Sequence, residues 1–167
     1  MHEIGYWEGP VTEDTPTNPL SLYGIAKNTL RQSAKLLADT YHKNLNWLRG
    51  YYIIGDDGEN HSIFTKILEK EAEGAEKFPF TSGVNKYDFL DINELARQIS
   101  AAAVQSEVSG EINCCSGEPI ALKDKVEQFL REHELKIQLE YGAYPDRPYD
   151  SPAIWGDDRK IKEIMSE

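Results

Sequence analysis

Two residues four apart carry the clearest chemical potential in the sequence: Tyr23 and Lys27, in Tyr23-Gly24-Ile25-Ala26-Lys27. On an α-helix that spacing puts both side chains on one face. An ammonium beside a phenol favours the phenolate. A phenol so placed can give or take a proton at a sugar hydroxyl or carbonyl. The same spacing also occurs on plain helix surfaces, so it defines a candidate acid/base pair and leaves the surface reading open.

Such a pair is useful only if the chain holds it rigidly. Gly5, Gly9, Pro10, Pro16 and Pro19 punctuate residues 1–19, which read as loop. From Ser21 to about Asn44 the apolar residues Leu22, Ile25, Ala26, Leu30, Ala34, Leu37 and Tyr41 recur at helical spacing, which predicts one long helix. Leu45 to Ile54 is rich in aromatic and branched residues and reads as one buried strand, ended by Gly55-Asp56-Asp57-Gly58. Further helices are expected over Ser62–Ala75, Asp91–Val108, Ile120–His133 and Asp157–Met165. Phe78 to Phe89 reads as two short strands around Ser82-Gly83-Val84-Asn85, and Glu111–Cys115 and Lys136–Tyr141 as two more. A loop holding Pro145, Pro148 and Pro152 precedes the last helix. Strands alternating with helices indicate the α/β class.

Composition narrows the function. Of 167 residues, 40% are hydrophobic and 10% aromatic, enough to build a core. The net charge of −11, with 29 acidic against 18 basic residues, argues against a nucleic-acid or anionic-membrane binder. No run of eighteen apolar residues suggests a membrane span, and the first residues do not resemble a signal peptide, so the expected location is cytoplasmic. Cys114 and Cys115 are adjacent and read as thiols of a buried strand. His2, His42, His61 and His133 have no metal-ligand spacing, so no metal is expected. Glu69-Lys70-Glu71, with Glu73, Glu76 and Lys77, reads as a solvated helix face.

Five blocks in a fixed order carry a family resemblance. Asn18-Pro19-Leu20-Ser21-Leu22-Tyr23-Gly24-Ile25-Ala26-Lys27 is similar to the catalytic helix entry of the extended short-chain dehydrogenase/reductases, the nucleotide-sugar epimerases and reductases. Leu48-Arg49-Gly50-Tyr51-Tyr52-Ile53-Ile54-Gly55 resembles the strand that follows. Lys86-Tyr87-Asp88-Phe89-Leu90-Asp91 resembles the family's short strand before a helix, and Glu111 to Ile120 its later strand-turn-helix. Arg147-Pro148-Tyr149-Asp150, then Trp155 to Lys160, resembles the C-terminal nucleotide-sugar segment of UDP-glucose 4-epimerase-like members.

The resemblance implies the C-terminal part of a Rossmann-like fold with a small substrate-binding domain. Residues 1–58 would be the Rossmann-like remnant and 59–167 mainly the nucleotide-sugar domain. It implies oxidation or reduction of a sugar carbon with NAD or NADP. Tyr23 would be the acid/base, and Lys27 would bond the nicotinamide ribose and support the phenolate; both are then cofactor-binding as well as catalytic. Arg147 would pair with the substrate diphosphate, a role that suits its bidentate fork. Lys86 and Asp150 would complete the substrate side, and the chain would pair as a homodimer. Departures touch the sugar site. Tyr87 stands where relatives often have arginine, Tyr52 where they often have a substrate-contacting asparagine, and Tyr149 replaces a glycine.

The family's glycine-rich phosphate loop does not occur in this sequence, and the family's catalytic Ser or Thr would fall at or just before Met1. The expectation is therefore a C-terminal portion that binds no dinucleotide and is inactive by itself. The alternative is a non-catalytic remnant that binds a nucleotide sugar or a partner chain.

Overall fold

The computed structural model describes residues 1–55 and 62–166. The turn expected at Asp56–Gly58, the domain boundary after residue 58, and His61 lie outside the described residues.

In chain order the elements are β1 Gly9–Val11, α1 Leu22–Thr40, β2 Asn46–Gly50, β3 Tyr52–Ile54, α2 Ile63–Ala72, β4 Lys77–Pro79 and β5 Lys86–Asp91. There follow α3 Ile92–Val104, β6 Gly110–Cys114, β7 Pro119–Ala121, α4 Leu122–Glu132, β8 Gln138–Glu140, β9 Ala153–Gly156 and α5 Arg159–Met165. The pairs β1–β9, β2–β6, β3–β5 and β4–β8 are all parallel. Parallel neighbours need long crossovers, which the helices supply, so the α/β class expected from alternation is the observed one.

Helix starts follow local chemistry. Ser21 caps α1, its Oγ accepting the Gly24 amide at 3.1 Å, and Ser62 caps α2 through Thr65 N. The Asp91 carboxylate accepts from Asn93 N and Glu94 N, so Asp91 closes β5 and caps α3.

Two expectations need correction. Residues 9–11 form a strand, because β9 offers them a parallel edge; β9 itself lies in a stretch read as loop. The single strand expected over Leu45–Ile54 is two. β2 pairs with β6 and β3 with β5, and the chain leaves one sheet for another at Tyr51. The two short strands expected within Phe78–Phe89 form and take different partners: β4 joins β8 and β5 joins β3 and β9. The apolar stripe of α1 is largely exposed. Gly24 is the buried residue of that helix, while Leu22 is 86% and Leu37 60% exposed.

The described chain divides into two compact units. The first comprises Met1–Gly55, Tyr87–Pro119 and the segment from Ala153 on. Its strands run β1-β9-β5-β3, with β2–β6 as a second pair, and α3 packs on β2, β3, β6 and α5. Leu90, Leu95 and Cys114 form a core cluster with Leu48 against it. The second unit lies within residues 56–86 and 120–152. Its core is Ile67, Phe80, Val126 and Ile137, with Phe78, Leu130 and Leu139 among the apolar residues packed around them. The Glu71 carboxylate joins α2 to the start of the β8 segment by accepting from Lys136 N and Ile137 N.

Candidate functional site

Residues 21–27 form a rigid helix start. Besides the Ser21 side-chain cap, Ile25 N donates to Ser21 O at 2.9 Å. Gly24 lies so close to the N-terminal segment that a Cβ there would meet His2 O at 2.5 Å and Pro19 Cβ at 3.0 Å. A larger residue would push the segment off the helix, so glycine here serves close approach.

Tyr23 is 58% exposed. Lys27 lies one turn on, its Nζ 5.6 Å from the centre of the Tyr23 ring. The His2 ring meets the same phenol edge-on at 5.3 Å. The two residues singled out by spacing thus share one helix face and touch, with the phenol open to a ligand. Lys27 has no carboxylate partner among the described residues, so its three donors are available to a ribose or a phenolate.

Sequence reasoning passed over the residue that organises the first unit, Asp88. It is fully buried on β5. Its Oδ1 accepts from Ser116 N at 2.8 Å and Ser116 Oγ at 2.7 Å; its Oδ2 accepts from Gly117 N and Gly156 N, each at 3.0 Å. Four bonds offset the cost of burying the charge and tie the ends of β5, β6 and β9 together. A carboxylate in an otherwise apolar run, Tyr87-Asp88-Phe89-Leu90, is the signal that could have found it.

A second buried polar centre sits nearby in the sequence order. The Tyr51 hydroxyl donates to Asn113 Oδ1 at 3.1 Å, and Asn113 Nδ2 donates to Val11 O and Asp157 O. Burial raises the Tyr51 phenol well above its ordinary value, with the Cys115 thiol adding to it. Tyr51 is therefore a structural hydroxyl. Tyr52 and Tyr87 pack ring to ring at 4.3 Å, with Phe89 beside both. Cys114 and Cys115 are buried and free, as expected. Burial pushes the Cys114 thiol up to about 11.

The remaining candidates belong to the second unit. Arg147 is exposed in the loop before β9, where its carbonyl accepts the Asp150 amide at 3.1 Å. Lys86 is exposed at the start of β5, its amide donating to Pro152 O at 2.9 Å. Among the described residues no side-chain bond fixes Arg147, Lys86 or Asp150. Asp146 anchors the loop by accepting from Ser82 N at 3.1 Å, and Tyr141 OH donates to Glu127 Oε1 at 2.6 Å. Burial, with the Glu127 carboxylate beside it, pushes that phenol up to about 12. Tyr144 and Tyr149, either side of Arg147, are exposed.

Among the described residues no group of three or more His, Cys, Asp or Glu could hold a metal ion. No helix there is long and apolar enough to cross a membrane.

Comparison with known proteins places the chain in a family. Residues 3–115 match the family described as NAD dependent epimerase/dehydratase. The chain is 53% identical over 157 residues to dTDP-6-deoxy-L-talose 4-dehydrogenase (NAD(+)) of Aggregatibacter actinomycetemcomitans, covering 93% of this chain and 58% of that protein. Two solved structures are similar. One is dTDP-glucose 4,6-dehydratase from Bacillus anthracis in complex with NAD, with TM-score 0.83 and 20% identity, covering 99% of this chain and 53% of that one. The other is UDP-glucuronic acid 4-epimerase from Bacillus cereus in complex with UDP-glucuronic acid and NAD, with TM-score 0.82 and 21% identity, covering 99% and 52%. At that identity the structures show the fold alone, the Rossmann-like architecture of the extended short-chain dehydrogenases. The chain spans a little over half the length of the curated relatives it matches.

Proposed function

The chain belongs to the NAD dependent epimerase/dehydratase family, and on that premise we propose that it is the C-terminal portion of an enzyme that oxidises or reduces a sugar carbon of a nucleotide-diphosphate sugar with NAD or NADP. The 53% identity to a dTDP-6-deoxy-L-talose 4-dehydrogenase supports a dTDP-linked 6-deoxyhexose as the substrate and carbon 4 as the reacting centre. The single observation that carries the reading is the Tyr23–Lys27 pair on one exposed helix face, 5.6 Å from ammonium to ring centre.

In the oxidation direction the Tyr23 phenolate oxygen takes the proton of the sugar hydroxyl; in the reverse direction the phenol returns it. Lys27 donates to the nicotinamide ribose and supports the phenolate by its charge. Bound NAD or NADP supplies the hydride acceptor or donor. Arg147 neutralises the diphosphate through a bidentate contact, with Lys86 as a point charge and Asp150 as an acceptor for a hydroxyl. The aromatic pair Tyr52–Tyr87, at positions where the family resemblance implies polar groups, suits a sugar with an apolar C6 methyl. Two copies would pair through the exposed face of α1.

The dinucleotide's phosphates need a glycine-rich loop that this sequence does not contain, so we assign these residues the acid/base and substrate half of the site. The test is a completed enzyme, in which this chain follows the N-terminal half of the 53% identical relative. It should form NADH from NAD(+) and dTDP-6-deoxy-L-talose. Tyr23→Phe should lower kcat by about 10²–10⁴ with little change in KM. Tight nucleotide-sugar binding without turnover would favour the non-catalytic alternative instead.

A further inference from the structure

The face of α1 that carries Tyr23 and Lys27 continues one turn further to Arg31. The Arg31 side chain is only 14% exposed. Its Nη1 donates to Glu111 Oε1 on β6, and its Nη2 donates to Asn28 Oδ1 at 3.1 Å. Its Nε lies 3.8 Å from Glu3 Oε1. Glu3 is buried, and the same oxygen accepts from Arg49 Nε at 2.8 Å and from Trp47 Nε1 at 3.0 Å. Arg49 Nη1 donates in turn to Thr12 O at 3.0 Å. Two guanidiniums and two carboxylates therefore neutralise one another along the helix face that carries Lys27.

Energetics decides what Lys27 would do without that arrangement. A cation over an exposed aromatic ring gains less than a charge-assisted hydrogen bond to a carboxylate does. An ammonium within reach of an unclaimed carboxylate would leave the ring for it. Arginine suits the claim on that carboxylate, being always charged, more weakly hydrated and forked. Arg31 also repels Lys27 from the C-terminal side, as like charges at i and i+4 do. That bias agrees with the lean of helical side chains towards the N-terminus, where Tyr23 stands.

We infer that Arg31 is a positioning residue for the Tyr23–Lys27 pair: it holds Glu111, while Arg49 holds Glu3, so that the Lys27 ammonium stays on Tyr23. The functional consequence rests on the acid/base reading above, but the arrangement itself is measurable without turnover. In this chain, with selectively labelled lysine and tyrosine, an NMR cross-relaxation signal is expected between the Lys27 ε-methylene and the Tyr23 ring. Arg31→Met should abolish it as Lys27 turns to the released Glu111. Adding Glu111→Gln to that variant should bring it back, because the competing charge is gone. A signal that survives Arg31→Met overturns the inference, and so does a loss that the second substitution fails to reverse. If Arg31→Met does not fold, Arg31→Gln leaves Glu111 without its cation while keeping an amide donor for it. Loss of the signal in Arg31→Gln, with return on adding Glu111→Gln, supports the inference, and retention in Arg31→Gln overturns it. In the completed enzyme, kcat should fall about 10-fold in Arg31→Met, a fraction of what placed acid/base groups supply, with KM unchanged and recovery in the double variant. A completed wild-type enzyme without turnover would count against the acid/base reading, and the NMR outcome would still decide the role of Arg31.

Discussion

Asp88 and Gly156, 68 residues apart in the chain, are joined by a 3.0 Å hydrogen bond from the Gly156 amide to the buried Asp88 carboxylate. The same carboxylate takes Ser116 and Gly117, so one side chain in β5 holds the turn after β6 and the end of β9. Asp88→Ala would strip three amides and a hydroxyl of their acceptor, at about 1–3 kcal/mol for each group left buried and unpaired. We expect a loss of about 3–5 kcal/mol, read as a lower urea midpoint. Asp88→Asn, which keeps one acceptor oxygen, should lose less. Equal midpoints for Asp88→Ala and wild type would refute the assignment.

Arg147 should matter to binding and not to folding. It is exposed, and no side-chain bond holds it among the described residues. In the completed enzyme Arg147→Ala should weaken nucleotide-sugar binding by about 1.5–3 kcal/mol, roughly 10- to 150-fold. The melting temperature without ligand should not move. Calorimetric titration with the nucleoside diphosphate checks it; an unchanged affinity rejects the diphosphate role.

The exposed side of α1 predicts self-association. Leu22, Leu30, Leu36, Leu37 and Tyr41 lie open on one helix, an apolar area that soluble chains normally cover. β2, moreover, pairs with β6 alone among the described residues, and an unpaired strand edge is a template for another chain. Sedimentation equilibrium at micromolar concentration should give a dimer, and Leu37→Glu should shift it towards monomer. A well-folded monomer of 19.0 kDa would defeat the prediction.

Cys114 predicts the direction of alkaline instability. Burial raises its thiol from 9.0 to about 11 in the folded chain. Below pH 9 both folded and unfolded chains keep the proton, and the stabilising preference for the neutral thiol is fully present. As the pH rises from about 9 through about 11, the unfolded chain releases its proton first and that contribution is lost. The urea midpoint should therefore fall over this window. Cys114→Ala should flatten part of the fall, the remainder coming from Cys115 and Tyr51, which burial shifts the same way. Identical pH profiles for variant and wild type would exclude Cys114 as a source.

What could be read from the sequence alone was local. The Ser21 cap, the helix that follows, and the placement of Tyr23 and Lys27 on one face depend on contacts within a few residues, and spacing suffices to state them. The α/β class followed from alternation, and the family from five ordered blocks. What only the tertiary structure decided depends on partners far along the chain. β1 and β9 are three and four residues long, too short for periodicity to register, and exist because each completes the other's parallel ladder. Leu45–Ile54 reads as one strand since nothing in its residues says that the partner changes from β6 to β3's neighbour β5 at Tyr51. The stripe on α1 has the pattern of a core-facing helix, and pattern alone cannot say whether a core or a second chain receives it. Asp88, Glu3 and Arg49 look like ordinary charged residues until the fold buries them, because the free energy of a buried charge is set by the donors brought to it and not by its neighbours in sequence.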